Sequence, residues 1–240
     1  MGRSALWTAI HDTLAEEVAQ GHYAPGDRLP TEAQLAERFG VNRHTVRRAL
    51  GHLAERDIVF ARRGAGVFVR HVPTPYPIGR RVRFHQNLLA TNRVPERRIL
   101  HMETRAASSD EARALALDMP AQVHVYEGLS LSDSVPLASF RSVFPAARFP
   151  GLLEVLRRTK SVTETFAAQG VTDYTRSRTE VTARLATKPE AALLELAPGE
   201  PVLGTISVNV DQDGAPIEYG RTWFAADRVT LTLSALDGEW

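Results

Sequence analysis

The sequence contains no cysteine, and this absence removes several kinds of chemistry. A chain without thiols has no disulfide framework, no thiolate nucleophile, no iron–sulfur cluster and no cysteine-bound zinc. Long apolar runs are also absent, and the first twenty residues carry charges at Arg3, Asp12, Glu16 and Glu17. We therefore expect a cytoplasmic protein with neither a membrane span nor a secretory signal.

Lysine is scarce, since only Lys160 and Lys188 of the 29 basic residues are lysines. The charge is also uneven along the chain. Up to Arg105 there are 17 basic and 10 acidic residues, and beyond it there are 12 basic and 18 acidic residues. This asymmetry favours a polyanionic partner for the N-terminal part, although solvated surface charge would give the same count.

The N-terminal residues have the pattern of a winged helix-turn-helix. An apolar residue at every fourth position from Leu6 to Val18 predicts an amphipathic helix over residues 4–20. A second short helix begins near Thr31 and stops at Gly40, and a third begins at the N-cap residue Asn42. Residues 58–69 are typical of two short strands around a glycine-containing tip.

A proline-rich stretch separates this pattern from the rest of the chain. Three prolines between His71 and Gly79 predict a stiff, extended segment with no core of its own. We therefore divide the chain into a winged helix-turn-helix domain at 1–72, a linker at 73–96 and a second domain at 97–240. Five strand-like runs alternate with four helix-like stretches in the last domain, which predicts an α+β fold with a long antiparallel sheet and no sequence repeat.

The third predicted helix carries the candidate DNA-reading residues. In a helix-turn-helix, the second helix of the pair enters the major groove with its N-terminal residues at the base edges. Arg43 and Arg47 lie one turn apart with His44 beside them, and a guanidinium can bond guanine O6 and N7 together. A basic helix taken by itself could equally be ordinary solvent-exposed surface with no role in DNA binding. The full set of candidates for double-stranded DNA is Thr31, Asn42, Arg43, His44, Thr45, Arg47, Arg48, Arg62, Arg63 and Gly64.

Two segments carry a family resemblance. LPTEAQLAERFGVNRHTVRRAL (Leu29–Leu50) and RRGAGVFV (Arg62–Val69) resemble the DNA-binding domain of the GntR family of bacterial transcription regulators, in its HutC branch. The resemblance implies a cytoplasmic homodimer, expected to be a repressor, that binds an operator with an inverted repeat. The chain departs from the family at Ala33, where Arg is usual, and at Ala65 and Val67 in the predicted wing.

Residues 97–233 resemble the UTRA ligand-binding domain of the same branch, which has a chorismate-lyase-like fold. The segments FPAARFP, SVTETF, DYTRSRTEV and FAADRV are most similar to regulators of phosphonate metabolism. The resemblance implies a small anionic effector related to phosphate or phosphonate. Sugar phosphates and carboxylates such as urocanate stay open as alternatives, but sugar-phosphate sensors have an Arg-x-Arg pair where this chain has Gly128 and Ser130.

Arginines and hydroxyls in this second domain are the candidate effector ligands. Arg176 and Arg178 alternate on one predicted strand, so we expect both to face the same side and clamp an anion. Ion pairs of Arg178 with Glu180 or Glu218 are the competing interpretation. The resemblance adds Ser161, Glu218 and Phe224, which match ligand-contacting positions of the family. The full set of candidates is Arg141, Ser161, Thr163, Tyr174, Arg176, Arg178, Glu218 and Phe224.

Catalysis is the main alternative to sensing, because chorismate lyase is an enzyme. The sequence has no G-x-S-x-G or H-E-x-x-H motif, and its eight histidines lack ligand spacing. We therefore expect no enzymatic activity, no metal and no cofactor. A lyase-like enzyme fused to a DNA-binding domain and a purely architectural DNA binder stay open as less favoured functions.

Overall fold

The computed structural model describes residues 3–62, 64–70, 73–80 and 95–233. The chain divides into two compact units, Met1–Val72 and Pro73–Trp240. The first unit contains α1 (Arg3–Ala19), α2 (Glu32–Phe39), α3 (Arg43–Glu55), β1 (Val59–Arg62) and β2 (Gly66–Val69). The two strands form an antiparallel hairpin that shares a core with the helices, so the predicted winged helix-turn-helix is confirmed.

Local signals in the sequence set the helix ends of the first unit. Thr31 forms a capping box with Gln34 at the start of α2, and Gly40 ends this helix in the left-handed conformation with φ 62°. Asn42 caps α3 by accepting a hydrogen bond from the Thr45 amide. The core contains the α3 face predicted from periodicity, but Leu6 of the predicted α1 stripe is 42% exposed.

The second unit is built around a six-stranded antiparallel sheet with the order β4-β5-β6-β9-β8-β7. This confirms the predicted α+β class. Three strands of the second unit, β3, β4 and β10, were not predicted from the sequence. The elements of this unit are β3 (Thr74–Pro77), β4 (Pro95–Ala106), α4 (Ser109–Ala114), β5 (Gln122–Ser132), β6 (Val135–Pro145), α5 (Leu152–Thr159), α6 (Val162–Ala168), β7 (Tyr174–Leu185), α7 (Lys188–Leu193), β8 (Pro201–Asp211), β9 (Pro216–Ala225) and β10 (Val229–Thr232).

Strand β3 corrects the prediction of a linker without a core at residues 73–96. It pairs in parallel with β10, and the amides of Thr74 and Ile78 donate to carbonyls of Arg228 and Thr232. Bonding positions alternate along a strand, so the two prolines of β3 occupy the positions that face away from β10. Thr74 is buried, so this part of the segment belongs to the second unit. Residues 81–94 lie outside the described residues.

The sheet is assembled from two halves with the same order of elements, so the expectation of no repeat is wrong for the structure. Each half contains a long strand, a six-residue helix and two further strands. In both halves an arginine near the end of the long strand binds the glutamate of the helix capping box, as Arg105–Glu111 and Arg184–Glu190. Near these features Ala107, Ala112 and Leu115 of the first half also match Ala186, Ala191 and Leu194 of the second, so the repeat is present in the sequence but confined to a short stretch.

Candidate functional site

The N-terminal turn of α3 presents exposed polar side chains on the side opposite its buried face. Arg43, His44 and Arg47 are exposed, while Val46 and Ala49 of the same helix are buried in the core of the first unit. The Asn42 side chain accepts hydrogen bonds from the amide and the hydroxyl of Thr45, at 2.9 and 3.0 Å. The candidate DNA-reading residues of α3 therefore lie at a capped helix N-terminus, whose backbone amides point outward.

Arg47 is held by a carboxylate of the neighbouring helix. Its Nε and one Nη donate to the two oxygens of Glu32 at 2.9 and 2.7 Å. This hydrogen-bonded guanidinium lowers the pKa of Glu32, and the charges of Arg43 and His44 add to the effect. One edge of the Arg47 guanidinium is thus already hydrogen-bonded to Glu32. The sequence-based interpretation had both Arg43 and Arg47 bonding guanine through two guanidinium nitrogens.

Two further arginines lie on aromatic rings. The guanidinium of Arg48 lies 4.7 Å from the ring centre of Trp7 in α1. Arg62 lies over both phenylalanines of the hairpin, 5.2 Å from Phe60 and 4.8 Å from Phe68. Gly64 at the hairpin tip has φ +76°, which favours glycine, and the candidate Arg63 lies outside the described residues.

In the second unit, one face of the six-stranded sheet forms a cavity of about 240 Å³. Polar side chains from all six strands point into it, and β3 and the first turn of α6 close it. Six of the eight predicted effector residues line this cavity: Ser161, Thr163, Tyr174, Arg176, Glu218 and Phe224. The structure thus brings together residues that are up to 63 positions apart in the sequence.

A hydrogen-bonded network crosses the floor of the cavity. The carboxylate of buried Glu218 accepts from Ser142 Oγ and Asn209 Nδ2, both at 2.6 Å. The other end of the Asn209 amide accepts from Nε of Arg176 at 3.3 Å. Within the described ranges no acceptor binds the terminal nitrogens of Arg176, so these are placed to bond an anion.

The predicted pair of Arg176 and Arg178 is wrong, because a β-bulge separates them. Arg176 is opposite Asn209 and Arg178 is opposite Val208, so Ser177 is the extra residue. Adjacent residues of β8 point to opposite faces, and the two arginines therefore do so as well. Arg178 lies outside the cavity and forms an ion pair with Glu180, as the competing interpretation had it.

Arg141 is also on the far face of the sheet. It is directly opposite Arg221 across β6 and β9, and its Nε lies 3.1 Å from a carboxylate oxygen of Glu127. Strand alternation puts Arg141 on this face because its neighbours Phe140 and Ser142 both point into the cavity. The prediction that Arg141 shares a site with Arg176 is therefore wrong.

Several cavity residues were not predicted, most importantly Arg97 and Tyr76. Arg97 is on β4 opposite Ser130, as Arg176 is on β7 opposite Asn209, so the two arginines hold equivalent positions in the two halves of the sheet. The repeat is the signal that would have found Arg97. Tyr76 was overlooked because it lies in the predicted linker; its ring centre is 4.8 Å from that of Phe224.

The surroundings of Gly128 leave no room for a larger side chain at this position, the first of the two where sugar-phosphate sensors were expected to carry arginine. A Cβ atom there would lie 2.5 Å from the Arg98 carbonyl oxygen and 2.8 Å from Cζ of Phe140. The Phe140 ring thus fills that space. The Arg97 guanidinium lies 4.9 Å from the centre of the same ring, so a positive charge still reaches this end of the cavity.

Comparison with known proteins identifies both units. The GntR pattern of bacterial regulatory proteins matches residues 6–69, and the UTRA domain matches residues 90–230. This protein belongs to the GntR family. Because it also has the UTRA domain, it is a transcriptional regulator of the HutC type, and the resemblance inferred from its sequence is confirmed.

Relatives of this GntR-family regulator cover nearly its whole length. An uncharacterised HTH-type transcriptional regulator of Rhizobium meliloti is 42% identical over 95% of this chain and 94% of its own. The probable transcriptional regulator PhnF of Escherichia coli is 34% identical, covering 92% and 91%. The E. coli repressor MngR of a mannosyl-D-glycerate transport and metabolism system is 30% identical, covering 98% of each chain.

Solved structures agree with the fold of this regulator. The crystal structure of PhnF from Mycobacterium smegmatis matches with a TM-score of 0.64 and 28% identity, covering 94% of this chain and 97% of that one. Among the described residues, no helix is long and apolar enough to cross a membrane. In the same residues, no cluster of three or more His, Asp or Glu side chains could hold a metal ion.

Proposed function

We propose that this regulator is a repressor whose operator affinity is controlled by a small phosphate- or phosphonate-like anion bound between Arg97 and Arg176. The observation that carries the proposal is the cavity in the UTRA unit, where these two arginines occupy equivalent positions in the two halves of one sheet. Hydroxyls of Ser130, Thr163 and Thr222 line the same cavity and can donate to anionic oxygens.

On the DNA side, the winged helix reads the operator through the first turn of α3. Arg43 donates to a base edge with its whole guanidinium fork, while Arg47 donates with the nitrogen that Glu32 does not bind. Thr31, Asn42 and Thr45 contact phosphate, as do Arg48, Arg62, Arg63 and Gly64 nearby. These contacts repeat on the second head of a homodimer, so the operator is an inverted repeat.

A sugar phosphate is the second candidate for the effector, and two observations favour it. The relative MngR is the repressor of a mannosyl-D-glycerate transport and metabolism system, so a sugar-derivative system is controlled by one relative. Glu218 adds a buried carboxylate to the cavity, which accepts hydrogen bonds from hydroxyls or an ammonium group on a ligand. The absence of the Arg-x-Arg pair, where this chain has Gly128 and Ser130, argues against a sugar phosphate. Arg97 replaces only one of the two positive charges that this pair would supply.

Calorimetry with the full chain distinguishes these effectors. The ligands are inorganic phosphate, 2-aminoethylphosphonate, glucose 6-phosphate and urocanate, each titrated at the same ionic strength. We expect the phosphonate or phosphate to bind more tightly than urocanate, since two arginines face one ligand. Binding of glucose 6-phosphate alone would replace the first candidate by the second, and binding of none of the four would discard the anion sensor.

A further inference from the structure

A second cavity of the UTRA unit lies on the face of the sheet opposite the proposed effector site. It has a volume of about 310 Å³, and side chains of β4, α4, β6 and β9 line it. Arg141 and Arg221 both point into it, because the residues before and after each of them line the first cavity. The volume is near the lower end of the range of about 300–1,000 Å³ for small-molecule sites, so it suits a small ligand.

Arg141 and Arg221 lie directly opposite each other on the two central strands of the sheet, β6 and β9. They also hold equivalent positions in the two halves, because Arg141 is opposite Glu127 on β5 and Arg221 is opposite Ile206 on β8. Side chains opposite each other on neighbouring strands have Cβ atoms about 4.5–5.5 Å apart, so two like charges there destabilise the sheet. An anion between the two guanidinium groups would remove this repulsion.

The two arginines differ in how far their charges are neutralised. Arg141 forms an ion pair with Glu127, whereas the equivalent position in the second half is the uncharged Ile206. Arg221 donates from Nε and one Nη to the hydroxyl oxygen of Tyr219, at 3.0 and 2.8 Å. In the part of the chain that the structure describes, no carboxylate forms an ion pair with Arg221, so its charge is left to a ligand.

The acidic side chains of the cavity wall already have arginine partners. Glu111 is bound by Arg105, and Asp110 is bound by Arg113 of the same short helix. The Tyr219 hydroxyl, by contrast, accepts two hydrogen bonds and donates to no acceptor among the described residues. Its hydrogen is therefore available to an anion in the cavity.

We propose that Arg141 and Arg221 form a second anion site, which binds a small tetrahedral oxyanion of the phosphate or sulfate class. Both guanidinium groups donate to the anion from terminal nitrogens, and the Tyr219 hydroxyl donates a further hydrogen bond. The site is independent of the proposed effector site, since no residue lines both cavities. An anion bound here bridges the two halves of the sheet at the β6–β9 boundary and stabilises the second unit.

Calorimetric titration with inorganic phosphate tests this site in a full chain whose first cavity is disabled. Arg97→Gln and Arg176→Gln together remove both arginines of the proposed effector site, so the anion binding that remains belongs elsewhere. We expect this double variant to bind one phosphate per chain. Adding Arg221→Gln, or adding Arg141→Gln, should weaken that binding by about 10- to 100-fold, since each removes a charged hydrogen-bond donor.

Arg178→Gln is the matched control, because Arg178 lies on the same face of the sheet but is paired with Glu180. In the same double-variant background it should change the phosphate affinity by less than about twofold. Equal losses on Arg178→Gln and Arg221→Gln, or no phosphate bound by the double variant, would overturn the second site and leave the effector site untouched. Dissociation of a dimer by Arg221→Gln with phosphate binding unchanged would overturn it too, and would assign the arginines to a contact between two copies.

A second arm keeps both arginines of the first cavity and therefore does not depend on the folding of the double variant. The melting temperature of the second unit is measured by circular dichroism in chloride and in phosphate at equal ionic strength, with phosphate at about ten times its Kd. We expect phosphate to raise the melting temperature of the otherwise unchanged protein and of Arg178→Gln by about 3 °C more than that of Arg221→Gln. An equal rise in all three proteins would contradict the second site, whether or not the first cavity binds an anion.

Discussion

Arg176 and Arg178 differ by two positions in the sequence and face opposite sides of one strand. The bulge at Ser177 causes this, and it leaves Arg176 beside Asn209 in the cavity and Arg178 beside Glu180 in solvent. Strand periodicity alone cannot reveal a bulge, since the alternation rule assumes one residue opposite one. The two residues have the same side chain on the same strand and differ in the face of the sheet that they occupy. They are therefore a matched pair for mutation.

Replacing Arg176 by Gln should weaken anion binding by about 10- to 100-fold, which corresponds to the loss of a charged hydrogen bond worth about 1.5 to 3 kcal/mol. Arg178→Gln removes the same charge from the same strand and should change the affinity by less than about twofold. Calorimetry with the best-binding anion measures both. Equal losses in the two variants would indicate a general charge effect and contradict the assigned cavity.

Glu32 shows a second effect at the scale of single residues, since it is an acidic group on a surface assigned to DNA. Its ion pair with Arg47 fixes the direction of that guanidinium. We therefore expect Glu32→Gln to weaken operator binding by about three- to tenfold through loss of that orientation. Binding to unrelated DNA should strengthen, because a negative charge is lost beside phosphate.

Fluorescence anisotropy with operator and unrelated duplexes at one salt concentration measures both changes. Glu17→Gln is the matched control, because Glu17 holds Arg38 in a similar two-bond ion pair between α1 and α2. This control should leave the ratio of operator to unrelated DNA unchanged. An increase in operator affinity on Glu32→Gln would show that Glu32 competes with DNA for Arg47 instead of orienting it.

At the scale of elements, the two arginine–glutamate pairs fasten a long strand to the helix that follows it. Arg105 donates two hydrogen bonds of 2.7 Å to Glu111, whose carboxylate also accepts from the Ser108 amide. Although burial opposes them, these bonds lower the pKa of Glu111 to about 2. Glu190 in the second half has the same arrangement with Arg184 and a pKa of about 2.

A carboxylate whose pKa is lowered by folding stabilises the protein above its unfolded pKa, and that contribution disappears as the pH falls through the folded pKa. We expect Glu111→Gln to reduce the free energy of unfolding of the second unit by about 2 to 3 kcal/mol at pH 7. The difference from the unchanged protein should shrink between about pH 4.5 and pH 2. Urea unfolding at several pH values checks this, and a pH-independent difference would contradict it.

Sequence periodicity and end signals predicted most elements correctly. The buried face of α3 and the caps at Thr31, Gly40 and Asn42 follow from local rules, because one helix face and one cap depend on neighbours in the chain. β3 could not be predicted, because its partner β10 lies about 150 residues away and its prolines are typical of a linker. The cavity was predicted in part, since six of the candidates proposed from the sequence line it, while Arg97 required the sheet register.

At the scale of the whole molecule, an inverted-repeat operator requires two heads in one assembly. The chain has a mass of 26.5 kDa, so light scattering after size exclusion should give about twice this value. Footprinting should then protect two half-sites about one helical turn, or about 34 Å, apart or at a multiple of this spacing. A monomer that binds the operator with full affinity would contradict this assembly.

The proposed control of DNA binding by an anion in the UTRA cavity can be measured in one titration. The fragment upstream of the protein's own gene is held in complex with the full chain while phosphate, 2-aminoethylphosphonate or glucose 6-phosphate is added at constant ionic strength. We predict that one of these anions releases the DNA from the unchanged protein and from Arg178→Gln, and that Arg176→Gln requires about 10- to 100-fold more of it. Release at the same concentration from all three proteins, or from none, would contradict the claim.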